Sequence, residues 1–329
     1  MKIVSVTVAR NEADVIETFV RHHLQIVDKM IIVDHLSIDE TPAILADLQA
    51  EGASIDVIRD ARQEFAQAEM TTLQMRRAAQ ELGADWIFIL DADEFLVSDE
   101  GTGVRSILEH LSLEEPYRIP WRSYIPRPDD TSDAKILFDR IQYRREDEPL
   151  AFYKVFVPGT IAARKTTVIR VGNHGIGDIS RRRKKNIRGK VAEHLHLAHF
   201  PVRSVAQIRA KVLLGWPARL ASPEQKGNMN FHLRELFEKL QKGAAITGED
   251  LMSMALDYAL PEDLKDTPQE LVRDPVISPQ GDLKLKYPTS CDMNLVQPLA
   301  DLAADLAVKL ATERKRCTWK RIFSWRRTE

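Results

Sequence analysis

The chain predicts an α/β protein with a mostly parallel sheet, helices on both faces and a helical C-terminal extension. The first observation behind this is the alternation of short apolar runs with helically spaced segments through residues 1–100. The β-α-β-α-β-α-β order argues for parallel strands joined by crossover helices. The second is the run Trp86 to Leu90, five apolar residues that end abruptly at Asp91, Asp93 and Glu94. A short apolar run bounded by charge reads as a buried strand. The third is a change of texture: short strand-like pieces follow Pro116, and helical spacing dominates from Val202 onward.

Taken in order, Ile3 to Val8 is the first strand. Asn11 can cap a helix whose apolar positions Val15, Ile16, Phe19, Val20 and Leu24 keep helical spacing. Lys29 to Val33 is the second strand, ending at Asp34. Pro42 suits the first turn of a helix over Ala43 to Gln49. Ser54 to Ile58 is the third strand, and Glu69 to Leu82 is a long helix stopped by Gly83. Trp86 to Leu90 is the fourth strand. Strand-like pieces follow at Tyr117 to Trp121, Lys135 to Phe138, Ala151 to Val157 and Thr166 to Val171. Helices are expected over 202–214, 229–242, 248–259 and 297–323, with an irregular, Pro-rich stretch over 260–296.

The net charge of −2 supplies no global field toward nucleic acid or membrane. The two cysteines, Cys291 and Cys317, have neither metal-binding nor redox spacing, which points to a reducing compartment. No apolar run approaches the roughly 18 residues that a membrane-spanning helix needs. Met1 to Val8 lacks the long apolar core of a signal peptide. A cytoplasmic protein is expected. Charge is uneven, however: Arg181 to Lys185 is basic, and the tail from Arg314 interleaves basic residues with Trp319, Ile322, Phe323 and Trp325. Such a tail suits the inner face of a membrane, or a helix packed on its own domain or on a partner.

At a strand end, Asp91 and Asp93 leave one face together if extended geometry continues. Two adjacent carboxylates repel unless a cation lies between them, and hard oxygen ligands suit Mg²⁺ or Mn²⁺ with open positions for phosphate. Ligands of open α/β sheets bind beyond the carboxyl ends of the strands.

Four motifs then resemble the family 2 type glycosyltransferases of the GT-A fold, in the branch with an Asp-x-Asp-Glu-Phe strand end. They are Ala9-Arg10-Asn11-Glu12, Val33-Asp34 through Ser37 to Thr41, Gln74 to Arg77 preceding Ile89-Leu90-Asp91-Ala92-Asp93-Glu94-Phe95, and His199-Phe200-Pro201-Val202-Arg203-Ser204. The resemblance covers roughly residues 1–215. It implies a GT-A-like, Rossmann-like domain with a nucleotide-sugar-binding half over 1–115 and an acceptor-side half over 116–215. Residues 216–329 remain as a helical extension with a basic amphipathic tail.

What the resemblance implies for function is a metal-dependent glycosyltransferase. It would move a sugar from a nucleotide-diphosphate donor, with inversion, to a glycan or glycolipid of a surface polysaccharide. Arg10, Asn11, Asp34, Ser37, Asp39, Arg62, Gln74, Arg77 and Asp91 would bind substrate. Asp91, Asp93 and His199 would hold Mn²⁺ or Mg²⁺, with His174 as the competitor of His199 in a glycine-rich turn. Asp93 and Glu94 stand nearest the chemistry. No motif locates the general base among Glu94, Asp129, Asp130, Asp133, Glu146, Asp147, Glu148 and Asp178. Other readings stay open: turn chemistry for Asp34 and Asp39, surface ion pairs for Arg62 and Arg77, a solvated loop for the Arg181 run, and structural roles for His22 and His23. Two alternatives of other classes also stand: a phosphotransferase or phosphatase with Asp91 as nucleophile, and a non-enzymatic, basic-tailed membrane-binding module. Nucleic acid is not expected as a partner.

Overall fold

A computed structural model describes residues 1–62, 66–99, 103–130, 136–180, 185–187, 189–221, 236–240, 242, 244–265 and 267–287. The readings of the tail 314–329, of Asp133, of both cysteines and of Arg181 to Lys184 lie outside the described residues.

The chain runs β1 (Ile3–Ala9), α1 (Ile16–His23), β2 (Lys29–His35), α2 (Thr41–Ala50), β3 (Ile55–Asp60), α3 (Gln67–Gln80) and β4 (Trp86–Ile89). Next come β5 (Glu94–Ser98), α4 (Val104–Glu109), β6 (Tyr117–Ser123), the helical turn α5 (Leu137–Arg140), β7 (Tyr143–Arg145) and β8 (Tyr153–Pro158). The turn α6 (Gly159–Ala162), β9 (Thr167–Ile169), β10 (Ile176–Asp178), β11 (Lys185–Ile187), β12 (Lys190–Val191) and β13 (Leu195–His199) follow. The described elements end with α7 (Val205–Ala221), α8 (Gly248–Leu256) and β14 (Leu271–Arg273).

Nine strands form the main sheet in the order β3-β2-β1-β4-β8-β6-β13-β5, with β12 added on β6. The first four are parallel, as the β-α alternation requires. β8 runs antiparallel to both β4 and β6, and β5 runs antiparallel to β13. The result is a mostly parallel α/β architecture, as the sequence predicts.

Period-2 alternation on β1 divides the core. Ile3 and Ala9 pack with α1 and α2, and Val4 and Val6 pack with Met75 and Ala78 of α3. Helices therefore cover both faces. Gly83 adopts φ +63°, and the Ala84 N–H returns to the Ala78 carbonyl at 3.0 Å, which closes α3 as the sequence suggests.

Three expectations are corrected. Asn11 does not cap α1: its φ is +57° and its side chain turns to the neighbouring loop. In the described part of the strand expected over Lys135 to Phe138, Leu137–Arg140 instead forms one helical turn that buries Leu137 and Phe138. Asp91 to Glu94 is not extended: the Glu94 N–H donates to the Asp91 carbonyl at 3.1 Å, so the motif is a tight turn between β4 and β5.

Two compact units emerge, residues 1–201 with 255–290, and 202–254 with 291–329. Within the first, the Pro-rich stretch supplies β14, which pairs with β7, and buries Val276 and Leu283 in the core. Within the second, Lys239 Nζ lies 2.7 Å from both carboxylate oxygens of Asp250, and Thr247 and Asp250 exchange capping bonds at the start of α8.

Candidate active site

The C-terminal ends of β1, β2, β3 and β4 share one sheet edge, because the register sets Ala9 against Asp34, Asp34 against Arg59 and Val6 against Ile89. Asp34 is 1% exposed, and neither of its carboxylate oxygens has a hydrogen-bond partner among the described residues. A buried acceptor without a donor is unfavourable, and positions of this kind concentrate where a ligand binds.

Two loops at this edge hold each other in shape. The Asn11 N–H donates to Ser37 Oγ at 2.9 Å, and Asn11 Oδ1 accepts from the Ile38 N–H at 2.8 Å. Asp39 accepts from the N–H groups of Ala13 and Thr41, at 3.1 and 3.0 Å. Asn11, Ser37 and Asp39 thus build the walls beside Asp34, and Arg10 is exposed next to them.

The Asp91–Glu94 turn is braced reciprocally, since Glu94 Oε2 accepts from the Asp91 N–H at 2.9 Å. Its two aspartates point to different partners. Asp91 meets the ammonium of Lys154 from β8, the Asn173 amide at 2.9 Å and the Gln67 amide at 3.3 Å. Asp93 Oδ2 lies 3.9 Å from Nε2 of His199, with the two side chains 15% and 3% exposed. Pairing of β5 with β13 sets Glu94 opposite His199, and the Phe200 N–H donates to the Asp93 carbonyl at 2.9 Å. The His199 ring stacks on Trp121 at 4.1 Å, and Tyr258 meets it edge-on at 5.3 Å.

Lys154 is 2% exposed at its side chain and also lies 3.3 Å from Glu94 Oε1. Burial opposes its charge, but Glu94 and Asp91 outweigh burial and hold the ammonium above the usual lysine range. Glu94 is wholly buried; desolvation raises its carboxyl well above the ordinary range despite the pull of Lys154, with repulsion from Asp91 and Asp93 added. Burial likewise raises the Tyr258 phenol, reinforced by Asp93 and Asp91, so it stands as a neutral hydroxyl beside the site.

The expected site residues divide accordingly. Asn11, Asp34, Ser37, Asp39, Asp91, Asp93 and His199 all come to the sheet edge. Arg77 does not: it pairs with Asp56 and Glu81, and it lies ten residues past Gln67, about 15 Å along α3 and away from the edge. Gln74 is buried on the same helix, roughly 10 Å past Gln67. Arg62 is committed to Asp60 and Glu69 on the surface. Glu94 braces the turn; with no exposed surface it has no access to an acceptor hydroxyl, so the base role does not suit it. Glu148 accepts from Ser123 and Arg145, a structural network. His174 is turned to the Tyr153 carbonyl at 2.9 Å, while its neighbour Asn173 reaches Asp91.

Lys154, Asn173 and Gln67 escape sequence reading. Lys154 sits in an ordinary strand pattern, and only the turn Val171-Gly-Asn-His-Gly hinted at close approach by its glycines.

For a divalent ion the donor chemistry fits in part. No group of three carboxylate, histidine or cysteine side chains converges on one point among the described residues. Asp93 and His199 form a two-donor pair, and Mg²⁺ or Mn²⁺ sites built on one or two protein ligands are completed by substrate phosphates.

These acidic and imidazole side chains lie at the carboxyl ends of the strands, where open α/β sheets bind their ligands. Residues 5–110 match the family model Glycosyl transferase family 2. Among solved structures, the chain is similar to the mannosyltransferase PcManGT from Pyrobaculum calidifontis in complex with GDP-Man and Mn2+. The match is 18% identical, covers 39% of this chain and 36% of that one, and has a TM-score of 0.29. S. aureus TarS 1-349 in complex with UDP is 9% identical over 80% of this chain and 77% of that one, with a TM-score of 0.40. HddC from Yersinia pseudotuberculosis is 9% identical over 61% and 95%, with a TM-score of 0.33. The chain spans little more than a third of the mannosyltransferase. No curated protein matches it. No helix among the described residues is long and apolar enough to cross a membrane.

Proposed function

We propose that this chain transfers a sugar from a nucleotide-diphosphate donor to a glycan or glycolipid of a surface polysaccharide. The observation that carries the reading is the meeting, at one sheet edge, of an unpartnered buried carboxylate, Asp34, with the Asp91–Asp93 turn and His199. Asp34 would accept a hydrogen bond from the nucleotide, and the Asn11–Ser37 and Asp39 bonds keep its walls rigid. Asp93 and His199 would hold the divalent ion. When bound, that ion neutralises charge that builds on the departing diphosphate. Trp121, stacked on His199, fixes the imidazole plane. The Trp121 indole N–H, buried and without a partner among the described residues, offers a donor to a substrate hydroxyl.

Transfer with inversion needs a base for the acceptor hydroxyl; inversion rests on the family resemblance alone. The engagement of both Asp91 oxygens by donors disfavours Asp91 as a phosphoryl nucleophile. The basic and aromatic composition of 314–329 supports peripheral contact with an anionic membrane at the cytoplasmic face.

The test is a thermal-shift screen of UDP-, GDP-, CMP- and dTDP-linked sugars with and without Mn²⁺. One nucleotide class should raise the midpoint, and more so with the ion. A chain that responds to none of them does not carry this activity.

A further inference from the structure

We propose that a cavity on the opposite face of the sheet from the candidate active site binds one neutral sugar ring, free or at the end of a glycan. The proposal stands on the cavity alone and does not need the transfer reaction proposed above. The cavity has a volume of about 570 Å³, within the roughly 300–1,000 Å³ of small-molecule sites. Period-2 alternation separates it from the active site. On β6, Trp121 stacks on His199, whereas Arg122, the next residue, meets His196 on the other face. On β13, His196 and His199 are three residues apart and so leave opposite faces. On β5, Ser98 lines the cavity four residues beyond Glu94, about 14 Å along the strand.

One wall of the cavity is polar, and its contacts leave gaps. Arg122 Nη1 donates to His196 Nε2 at 3.2 Å. Burial, with the Arg122 charge added, pushes His196 down to about 4, so the imidazole is neutral near pH 7. A guanidinium only donates, so the single ring hydrogen belongs on Nδ1. His196 is 5% exposed, and its Nδ1 has no hydrogen-bond partner among the described residues. Asp99 Oδ1 lies 3.6 Å from it, too far for a hydrogen bond. A hydroxyl both donates and accepts. A sugar hydroxyl can therefore take the His196 N–H and give its own hydrogen to Asp99. The charges around the cavity cancel. Arg105 pairs with Asp28 at 2.7 Å, Arg144 with Asp274 at 2.6 Å and Arg122 with Asp99 at 3.4 Å. Three cations matched by three carboxylates favour neither an anion nor a cation and suit an uncharged polyol.

The other wall is apolar and held in place. Pro275, Ile277 and Pro279 line it, and Ile277 is 74% exposed. Such side chains cover the C–H face of a sugar ring by removing apolar area from water. Three bonds tie this wall down. The Tyr124 hydroxyl donates to the Asp274 carbonyl at 2.6 Å, and Ser278 Oγ bonds His22 Nδ1 at 3.1 Å. The Gln280 N–H donates to Gln25 Oε1 at 2.8 Å. The cavity is thus formed before a ligand arrives, which lowers the ordering cost of binding. A structural role alone does not explain a buried histidine whose remaining N–H faces a carboxylate it does not reach.

The test is titration of the full chain with glucose, galactose, mannose and N-acetylglucosamine, and with trisaccharides built from each, followed by saturation-transfer NMR and calorimetry. Glucuronic acid and glucosamine serve as charged counterparts. A neutral sugar should bind, and more tightly than either charged one. His196→Phe keeps a ring in place and should weaken binding roughly tenfold, because one buried hydrogen bond is lost. Ile277→Trp changes an exposed position and should weaken binding roughly tenfold or more by filling the cavity. Saturating UDP or GDP should leave sugar affinity unchanged, since the two sites lie on opposite faces. Binding of the single sugar marks a free ligand, and binding of the trisaccharide alone marks a glycan end; either upholds the proposal. Displacement of the sugar by UDP or GDP would place it in the active site and overturn the proposal. So would binding of no neutral sugar, a preference for a charged one, or full affinity in Ile277→Trp. Should His196→Phe not fold, Ile277→Trp decides alone.

Discussion

Nε2 of His199 lies 3.9 Å from Oδ2 of Asp93. Neither residue reaches the other by sequence proximity; the antiparallel pairing of β5 with β13 sets His199 against Glu94 and so brings it beside the Asp-x-Asp turn. An imidazole and a carboxylate at this separation make a mixed nitrogen–oxygen donor pair, which favours Mn²⁺ over Mg²⁺. His199→Ala should therefore weaken Mn²⁺ binding about tenfold and narrow the preference for Mn²⁺ over Mg²⁺. Ion titrations followed by calorimetry check both effects. An unchanged ion preference would remove His199 from the site.

Asp34 makes a prediction of opposite signs. Its carboxylate is buried without a hydrogen-bond partner among the described residues. Asp34→Asn should stabilise the ligand-free protein by about 1–2 kcal/mol, because an uncompensated buried charge is removed. The same change should weaken nucleotide binding by roughly tenfold or more, as a charge-assisted bond is lost. Denaturant midpoints and nucleotide titration report the two effects separately. A destabilised protein with full nucleotide affinity would make Asp34 structural.

His22 and His23 predict a pH dependence of stability. Both serve one residue of the edge strand β5: His22 Nε2 donates to the Leu96 carbonyl at 2.9 Å, and the Leu96 N–H donates to His23 Nε2 at 3.2 Å. These bonds satisfy an otherwise open sheet edge. Burial lowers His22 to about 4 and His23 well below its ordinary value, so both are neutral in the fold. The unfolded chain takes up their protons near pH 6.5, before the folded one does. Stability is thus full above about pH 6.5 and falls as the pH drops toward about 4, with His22 alone contributing on the order of 3 kcal/mol to the loss. Denaturant unfolding across that window should show the decline, and His22→Asn should flatten it. A pH-independent midpoint would contradict the neutral assignment.

Gly159 tests the strand that carries Lys154. A Cβ there would lie 2.0 Å from the Ala84 carbonyl oxygen, and backbone at both sides leaves no soft neighbour to yield. Gly159→Ala should cost on the order of 3 kcal/mol or more, seen as a fall in the unfolding midpoint.

The parallel half of the fold was legible because each strand there is a short apolar run and each helix has its own spacing and stop, as at Gly83. The acidic turn was legible by composition but not by shape: extended geometry was expected, while Glu94 folds back to cap the Asp91 N–H. Lys154 was hidden because burial of a lysine depends on which strands are neighbours, and β8 lies between β4 and β6 out of chain order. Arg62 and Arg77 fit a family pattern, yet acidic neighbours on the surface claim them first. The place of 255–290 in the first unit rests on β14 pairing with β7, a contact no local pattern announces.

The central claim is that Asp93, at the sheet edge, supports cleavage of a nucleotide-diphosphate sugar. The direct measurement is release of nucleoside diphosphate from the donor chosen by thermal shift, with Mn²⁺, for the wild-type chain and for Asp93→Asn. Ion-dependent release by the wild type is expected, reduced roughly 10²–10³-fold in the variant with an unchanged unfolding midpoint. Equal release by both proteins, or none from any nucleotide sugar that binds, would contradict it.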